Sequence, residues 1–281
     1  MKDFSAAEDV CGDAGPEAIF DARSQLLGHE SSNLGSLRPQ SKPAIGNRTF
    51  LMSKIIVLMG APGAGKGTQA RLLQEHLNMT QISTGDMLRA RAKEQDALAE
   101  EIKAVQASGK LASDDLVMRV VEDRTAKQDS ANGYVLDGFP RTMVQAQMLE
   151  QLAAEQGHKI VAIVVDVPFE LLEKRATGRL SCPVCGEIYN IYSKPPKNDK
   201  KCDFHPHTDL VQRVDDTAEK IKIRLETYNE QTKPLLDYYN NSGRLHRIDG
   251  TKKQEEIHKE IAGIIRSNGF IGGHKGSLQH A

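Results

Sequence analysis

The chain has 281 residues, enough for one large domain or two modest ones. With 37 basic and 38 acidic residues it is nearly neutral, which excludes a general affinity for nucleic acid or acidic membranes. Trp is absent and aromatics make up 5%, which argues against stacking platforms for single strands, and no apolar run approaches the roughly 18–20 residues of a membrane helix.

Residues 1–52 are rich in Ser, Gly and Ala and lack a sustained helical or strand period. A mitochondrial presequence is Arg-rich and poor in acids, whereas this stretch carries Asp3, Glu8, Asp9, Asp13, Glu17 and Asp21. With little to bury, it is expected to be a disordered extension, or sequence upstream of a start at Met52; a docking or regulatory arm is the alternative. From Lys54 the texture changes. Ile55–Met59 is a short apolar run ending at glycines and reads as a buried parallel strand, and Ala64–Leu77 reads as a helix. Further strand-like runs are Tyr134–Leu136, Ile160–Val165 and Leu245–Ile248. Between them lie helical stretches at Asp114–Lys127, Thr142–Glu155 and Asp216–Tyr239. Strands alternating with helices imply an α/β fold with a parallel sheet covered on both faces, and ligands in such sheets sit at the carboxyl ends of the strands. Two inserts interrupt the alternation, a helical one at 83–117 and a polar, lysine-rich one at 178–214. The folded part is expected to span 53–268, followed by a flexible glycine-rich tail at 269–281.

Gly60-Ala-Pro-Gly-Ala-Gly-Lys-Gly-Thr68 follows a strand and opens a helix, the context a phosphate-binding loop requires. Glycines let the backbone approach a ligand and point successive amides inward, while the helix N-terminus adds its positive end. Lys66 supplies a mobile cation. The pattern departs from the common form, because Gly67 follows the lysine and the hydroxyl comes at Thr68. Asp137, at the end of the second strand, is placed either to hold Mg²⁺ through water or to cap the turn at Gly138.

This string resembles the adenylate kinase family. Three more segments resemble it in order and spacing: Ile82-Ser-Thr-Gly-Asp-Met-Leu-Arg89, Asp137-Gly-Phe-Pro-Arg141 with Gln145 one turn later, and Arg213-Val-Asp-Asp216 with Arg224 two turns on. The resemblance runs from Lys54 to about Arg266. It implies a P-loop kinase with a five-stranded parallel sheet, a helical AMP-binding insert and a small zinc-containing lid. It further implies Mg²⁺-dependent transfer from ATP to AMP giving two ADP, with the lid closing over ATP. Gly63, Ala64, Gly65, Lys66, Gly67, Thr68, Arg175 and Arg179 would bind ATP. Thr84, Arg89, Lys110, Leu111, Ala112, Gly138, Arg141, Gln145, Arg213 and Arg224 would bind AMP. Lys66, Arg141, Arg179, Arg213 and Arg224 would be catalytic. The physics agrees, because phosphoryl transfer is stabilised by charge and alignment rather than by a strong base, and the arginine fork binds phosphate oxygens in pairs. Gln145 offers a donor and an acceptor, which suits the adenine edge. Thr84, where similar pyrimidine kinases carry Ala, and Gly109–Ala112 also favour AMP. The rivals are a kinase of another base preference and a non-catalytic nucleotide sensor, for which the full set of arginines would be superfluous.

Four cysteines complete the inventory. Cys11 stands alone. Cys182-Pro-Val-Cys185 and Cys202-Asp-Phe-His205 can close a tetrahedral Zn²⁺ site, with His207 and Asp203 as rival fourth ligands. Similar long-insert kinases carry Cys₄ or Cys₃Asp here, so His205 is a departure. Four protein ligands leave no open position and point to a structural zinc; redox-active cysteines and a metal-free insert are the alternatives. A C-x-x-C pair without a secretory signal points to a reduced compartment, the cytoplasm. The expected state is a monomer that takes ATP, AMP and ADP, with no nucleic-acid or membrane partner.

Overall fold

A computed structural model describes residues 54–108 and 110–269. The expectations for the extension at 1–52, the start at Met52, Cys11, Gly109 and the tail after Gly269 lie outside the described residues.

The centre is a five-stranded, wholly parallel sheet in the order β2-β3-β1-β4-β7. Its strands are β1 (Lys54–Met59), β2 (Thr80–Ser83), β3 (Gly133–Asp137), β4 (Lys159–Asp166) and β7 (Leu245–Asp249). Side chains alternate across the sheet, so the inner strands β1, β3 and β4 feed two cores. Ile55, Val57, Tyr134, Leu136, Ala162 and Val164 face one side. Ile56, Leu58, Val135, Val161 and Ile163 face the other. A strand buried on both faces needs apolar residues throughout, which is why these runs are continuous rather than alternating. The four strands read from sequence are all present. The fifth, β2, was invisible to pattern because Thr80-Gln81-Ile82-Ser83 has a single fully buried residue.

Helices α1 (Lys66–Leu77) and α9 (Gln254–Ser267) cover one face, where Leu73 and Ile261 are fully buried. Helices α4 (Asp114–Thr125), α5 (Met143–Glu155) and α8 (Pro234–Asn241) cover the other. Two further helices, α2 (Thr84–Arg91) and α3 (Ala97–Ser108), extend α4 into a helical outgrowth with its own small core of Ala92, Ile102 and Leu116. Helix α6 (Phe169–Thr177) leads into the hairpin β5 (Arg179–Ser181) and β6 (Ile188–Asn190), and the chain returns through α7 (Ala218–Thr227). The helical stretch expected over Asp216–Tyr239 is present from Ala218 to Asn241, with its hydrogen-bond ladder shifted once. After α7 comes a π-helical turn at Tyr228–Thr232, where Lys233 N–H reaches back five residues to Tyr228 O at 2.8 Å, and α8 starts at Pro234. Proline has no N–H to continue the ladder and its ring crowds the preceding turn, so it sits at a helix start instead.

The connections leaving the adjacent strands β1 and β3 run in opposite directions, to β2 and to β4. The crevice at their carboxyl ends is therefore open to a ligand. Both the glycine loop and Asp137 lie at that edge. No described helix is long and apolar enough to cross a membrane. Leu73→Ala is expected to cost about 2–5 kcal/mol of stability through the cavity it leaves between α1 and α9. A denaturant titration reads this directly, and a loss under 1 kcal/mol would mean this face is not tightly packed.

Candidate functional site

The glycine loop joins β1 to α1. Gly65 at the N-cap has φ 97°, no side chain caps the helix, and its first turn holds no acidic residue. The first helical bond runs from Gln69 N–H to Gly65 O at 3.1 Å, so the amides of Lys66, Gly67 and Thr68 precede the ladder. An uncapped N-terminus with inward amides is a seat for an anion. Lys66 Nζ spans the loop, donating to Gly60 O at 2.7 Å and Ala61 O at 3.0 Å. Close neighbours meet the loop at two of its glycines. At Gly63 (φ 86°) a Cβ would lie 2.5 Å from Leu172 O. At Gly67 it would lie 3.1 Å from Asp137 Oδ2, so the glycine that departs from the usual loop pattern gives the Asp137 carboxylate room.

Cations from several elements converge on this loop. Burial lowers the Lys66 pKa to about 8; Asp137 opposes the shift, while Arg141, Arg224 and Arg179 add to it. Burial lowers Arg141 to about 10, with Arg224 and Arg89 among the contributors, and Arg213 likewise to about 10, with Arg179 and Arg89. These mutual effects define one electrostatic site comprising Lys66, Arg89, Arg141, Arg179, Arg213 and Arg224. Like charges at close range repel strongly, so the arrangement needs fixed anions. Asp216, fully buried, supplies the main one. It accepts from Arg179 Nε at 2.8 Å and Nη2 at 2.6 Å, and from Arg224 Nη1 at 3.1 Å. Asp215 lies 3.1 Å from Arg224 Nη1; burial pushes its carboxyl up, but Arg224, Arg89, Arg179 and Arg213 hold it below its usual range. Asp86 pairs with Arg89 at 2.5 Å and Arg213 at 3.5 Å.

Beside this cluster a cleft runs between α2, α3, α4 and the β3–α5 turn. Thr84, Arg89, Lys110, Leu111, Ala112, Gly138, Arg141 and Gln145 line it together, with Lys66 and Arg224 at the loop end. Thr84 Oγ1 and Arg141 Nε both donate to Gly138 O, at 2.9 Å and 2.8 Å, which fixes the turn. Every residue expected on the acceptor side therefore lies here, except Arg213, which stands at the cluster's edge against Asp86. Arg175 is the outlier of the donor side. Its Nη1 donates to Gly250 O at 2.9 Å, and it takes no part in the charge cluster. Sequence reasoning assigned no role to Asp86, Asp114, Asp215 or Asp216. Asp215 and Asp216 were visible as neighbours of Arg213, but nothing in the spacing said which guanidiniums they face.

The polar insert forms a separate small unit around the β5–β6 hairpin. Cys182 and Cys202 are buried with Tyr189 and Leu210; Cys185 is exposed. Sγ of Cys182, Cys185 and Cys202 and a ring nitrogen of His205 all lie within 4.8 Å of one another. Cys185 and Cys202 Sγ are 3.7 Å apart, and Cys202 Sγ lies 3.7 Å from His205 Nδ1. A tetrahedral site with Zn–S near 2.3 Å places sulfurs about 3.8 Å apart, so the donor set and spacing fit that ion. The rivals fall away, because Asp203 Oδ1 instead accepts from Lys197 N–H at 2.8 Å and His207 is outside the group. The unit touches the body through Arg71 of α1, whose Nη1 meets Glu187 Oε2 at 2.8 Å.

An open phosphate loop, a ring of arginines and a second cleft beyond them define a nucleoside monophosphate kinase. The comparisons agree: residues 58–244 match the family model for adenylate kinase. An adenylate kinase of Nitrosococcus oceani is 44% identical over 212 residues, covering 75% of this chain and 98% of its own length. One of Clostridium perfringens is 43% identical over 214 residues, covering 76% and 99%, and one of Thermodesulfovibrio yellowstonii is 44% identical over 211, covering 75% and 98%. The chain belongs to the adenylate kinase family.

Two outcomes follow. Asp216→Asn keeps the shape but removes the charge between two guanidiniums, and is expected to lower kcat on the order of 100-fold with the fold retained by circular dichroism; an unchanged kcat would deny Asp216 this role. Lysine is cationic below its pKa, so the free enzyme loses the Lys66 charge as pH rises through about 8, while bound phosphates favour the charged form. kcat/KM for the phosphate donor should therefore fall above about pH 8, and kcat only at higher pH. Coincident profiles would contradict this.

Proposed function

We propose that the enzyme transfers the γ-phosphoryl group of ATP to AMP, giving two ADP, reversibly and at a single two-nucleotide site. The observation that carries this reading is the placement of Lys66, Arg141, Arg179, Arg213 and Arg224 between the phosphate loop and the second cleft. A phosphate oxygen of AMP attacks the γ-phosphorus, the bond to the β,γ-bridging oxygen breaks, and the electron pair leaves with ADP. No strong base is needed, because an AMP phosphate oxygen is already anionic at neutral pH. The cations align donor and acceptor and stabilise charge on the transferring group.

The amides of Gly63–Thr68 hold the ATP phosphates, and Lys66 exchanges its loop carbonyls for β- and γ-oxygens. Arg89 and Arg141 hold the AMP phosphate; Arg213 and Arg224 bridge the two nucleotides, and Arg179 reaches the donor. Arg175, if it serves ATP, does so by releasing Gly250 and turning inward. Thr84, Leu111, Ala112 and Gln145 enclose the AMP base, with the outgrowth at 83–117 as the acceptor insert of a domain spanning 53–268. Asp137, beside Gly67 and within electrostatic reach of Lys66, fits the role of holding Mg²⁺ through water, and Mg²⁺ bound with ATP would neutralise phosphate charge.

The unit at 178–214 serves as a lid. Its chain enters at Arg179 and leaves at Arg213, so a swing of the unit carries two cluster arginines with it. Closure over ATP would exclude water as a competing acceptor. Zn²⁺ on Cys182, Cys185, Cys202 and His205 has a structural role, standing in for apolar core that the small unit lacks.

Offering ATP with AMP, UMP, CMP and GMP in turn tests the reaction. ADP should form fastest with AMP, and formation with none of them would refute the enzyme reading. Elemental analysis should find about one Zn per chain, with its removal lowering the melting temperature. A metal-free chain of undiminished stability would remove zinc from the account.

A further inference from the structure

Gln145 is 1% exposed, yet it lines the acceptor cleft, and both ends of its amide are engaged. Its Oε1 accepts from the Arg141 backbone N–H at 2.8 Å. Its Nε2 donates to Asp114 Oδ1, also at 2.8 Å. Asp114 belongs to α4 and is 31 residues away in sequence. Its Oδ1 also accepts from Thr142 Oγ1 at 2.9 Å, and Thr142 Oγ1 in turn accepts from Gln145 N–H at 3.1 Å. Gln145, Asp114 and Thr142 close a ring of hydrogen bonds, and the Arg141 N–H holds the other end of the same side-chain amide.

The chemistry of this ring permits one orientation. A backbone N–H only donates and a carboxylate only accepts. Rotating the Gln145 amide by half a turn would set its NH₂ against the Arg141 N–H and its carbonyl against the Asp114 carboxylate. Both contacts would be repulsive and buried, where an unpaired polar group is most costly. After these two bonds, Oε1 retains one acceptor position and Nε2 one hydrogen. The amide therefore offers a fixed acceptor–donor pair. Adenine presents the complement, a donor at N6 and an acceptor at N1. A 6-oxopurine presents the reverse, an acceptor at O6 and a donor at N1.

We propose that Asp114 is a positioning residue that sets the acceptor's base preference: with the Arg141 amide it locks Gln145 in the orientation that matches a 6-aminopurine and rejects a 6-oxopurine. This rests on the reading of Gln145 as the residue that meets the AMP base. Asp114 touches no substrate in this account. It acts through the amide that it holds.

IMP is the sharpest probe, since it differs from AMP only by the 6-oxo group and the proton at N1. In Asp114→Asn, the new amide can turn to donate to a rotated Gln145, so only the Arg141 contact still opposes rotation. The kcat/KM ratio of AMP to IMP, measured on the full chain with saturating ATP, should shrink roughly 10- to 100-fold in Asp114→Asn and in Asp114→Ala. The change should enter through KM for the acceptor, while KM for ATP shifts less than about twofold. Should Asp114→Ala fail to fold, Asp114→Asn alone decides. A purely structural role would depress AMP and IMP equally and leave the ratio at its wild-type value, which would overturn the proposal. Gln145→Ala separates the two levels. If it collapses the ratio while both Asp114 variants preserve it, Gln145 reads the base but Asp114 does not lock it. If Gln145→Ala itself preserves the ratio, the reading of Gln145 fails and the proposal with it.

Discussion

Repulsion between like charges is the constraint on which this molecule is organised. Burial, and then neighbouring arginines, lower the proton affinities of Lys66, Arg141 and Arg213, so gathering these cations in a protein without bound phosphate is unfavourable. The buried carboxylate of Asp216 offsets part of that cost. It binds Arg179 in a two-point fork and reaches Arg224 as well, linking the start of β5 to α7. Asp215, Asp86 and Asp137 balance the remaining charge around the rim. The result is a pocket whose cations are held in place before substrate arrives, so that little reorganisation is needed when charge develops on a transferring group. In the proposed reaction the nucleotide phosphates would meet the residual imbalance.

The sheet makes this arrangement possible. Parallel strands end together, and the diverging connections of β1 and β3 leave a crevice where the glycine loop and Asp137 meet. Gly67 shows how closely the two are fitted, because any side chain there would crowd the carboxylate. The small unit carrying the cysteines joins the body at both of its chain ends and through Arg71 and Glu187. Its fold rests on a short hairpin, a few buried residues and the Cys₃His cluster.

Much of this was legible in the sequence, for physical reasons. Buried parallel strands must be apolar throughout, so β1, β3 and β4 stood out and the edge strand β7, Leu245-His-Arg-Ile-Asp249, gave a weaker signal, and a phosphate loop needs glycines whose spacing is fixed by geometry. The short, largely polar β2 carried no such signal. The helical stretch expected from Asp216 to Tyr239 is present, but the π-turn at Tyr228–Thr232 ahead of Pro234 left no mark in its hydrophobic spacing. Cation positions were readable from motif order, but their partners were not. That Arg175 turns to Gly250 O, and that Asp216 serves two arginines, depend on long-range placement that no local pattern encodes. His205 was favoured over His207 by position, and the geometry agrees by bringing its Nδ1 to the sulfurs.

In the proposed reaction the cluster lies between two nucleotides bound at once. Calorimetric titration with two adenosines joined by five phosphates tests it most directly, since that molecule spans both halves. The account requires one ligand per chain, bound far more tightly than either ATP or AMP, and displacing both. Two ligands per chain, or competition with only one of the nucleotides, would contradict it.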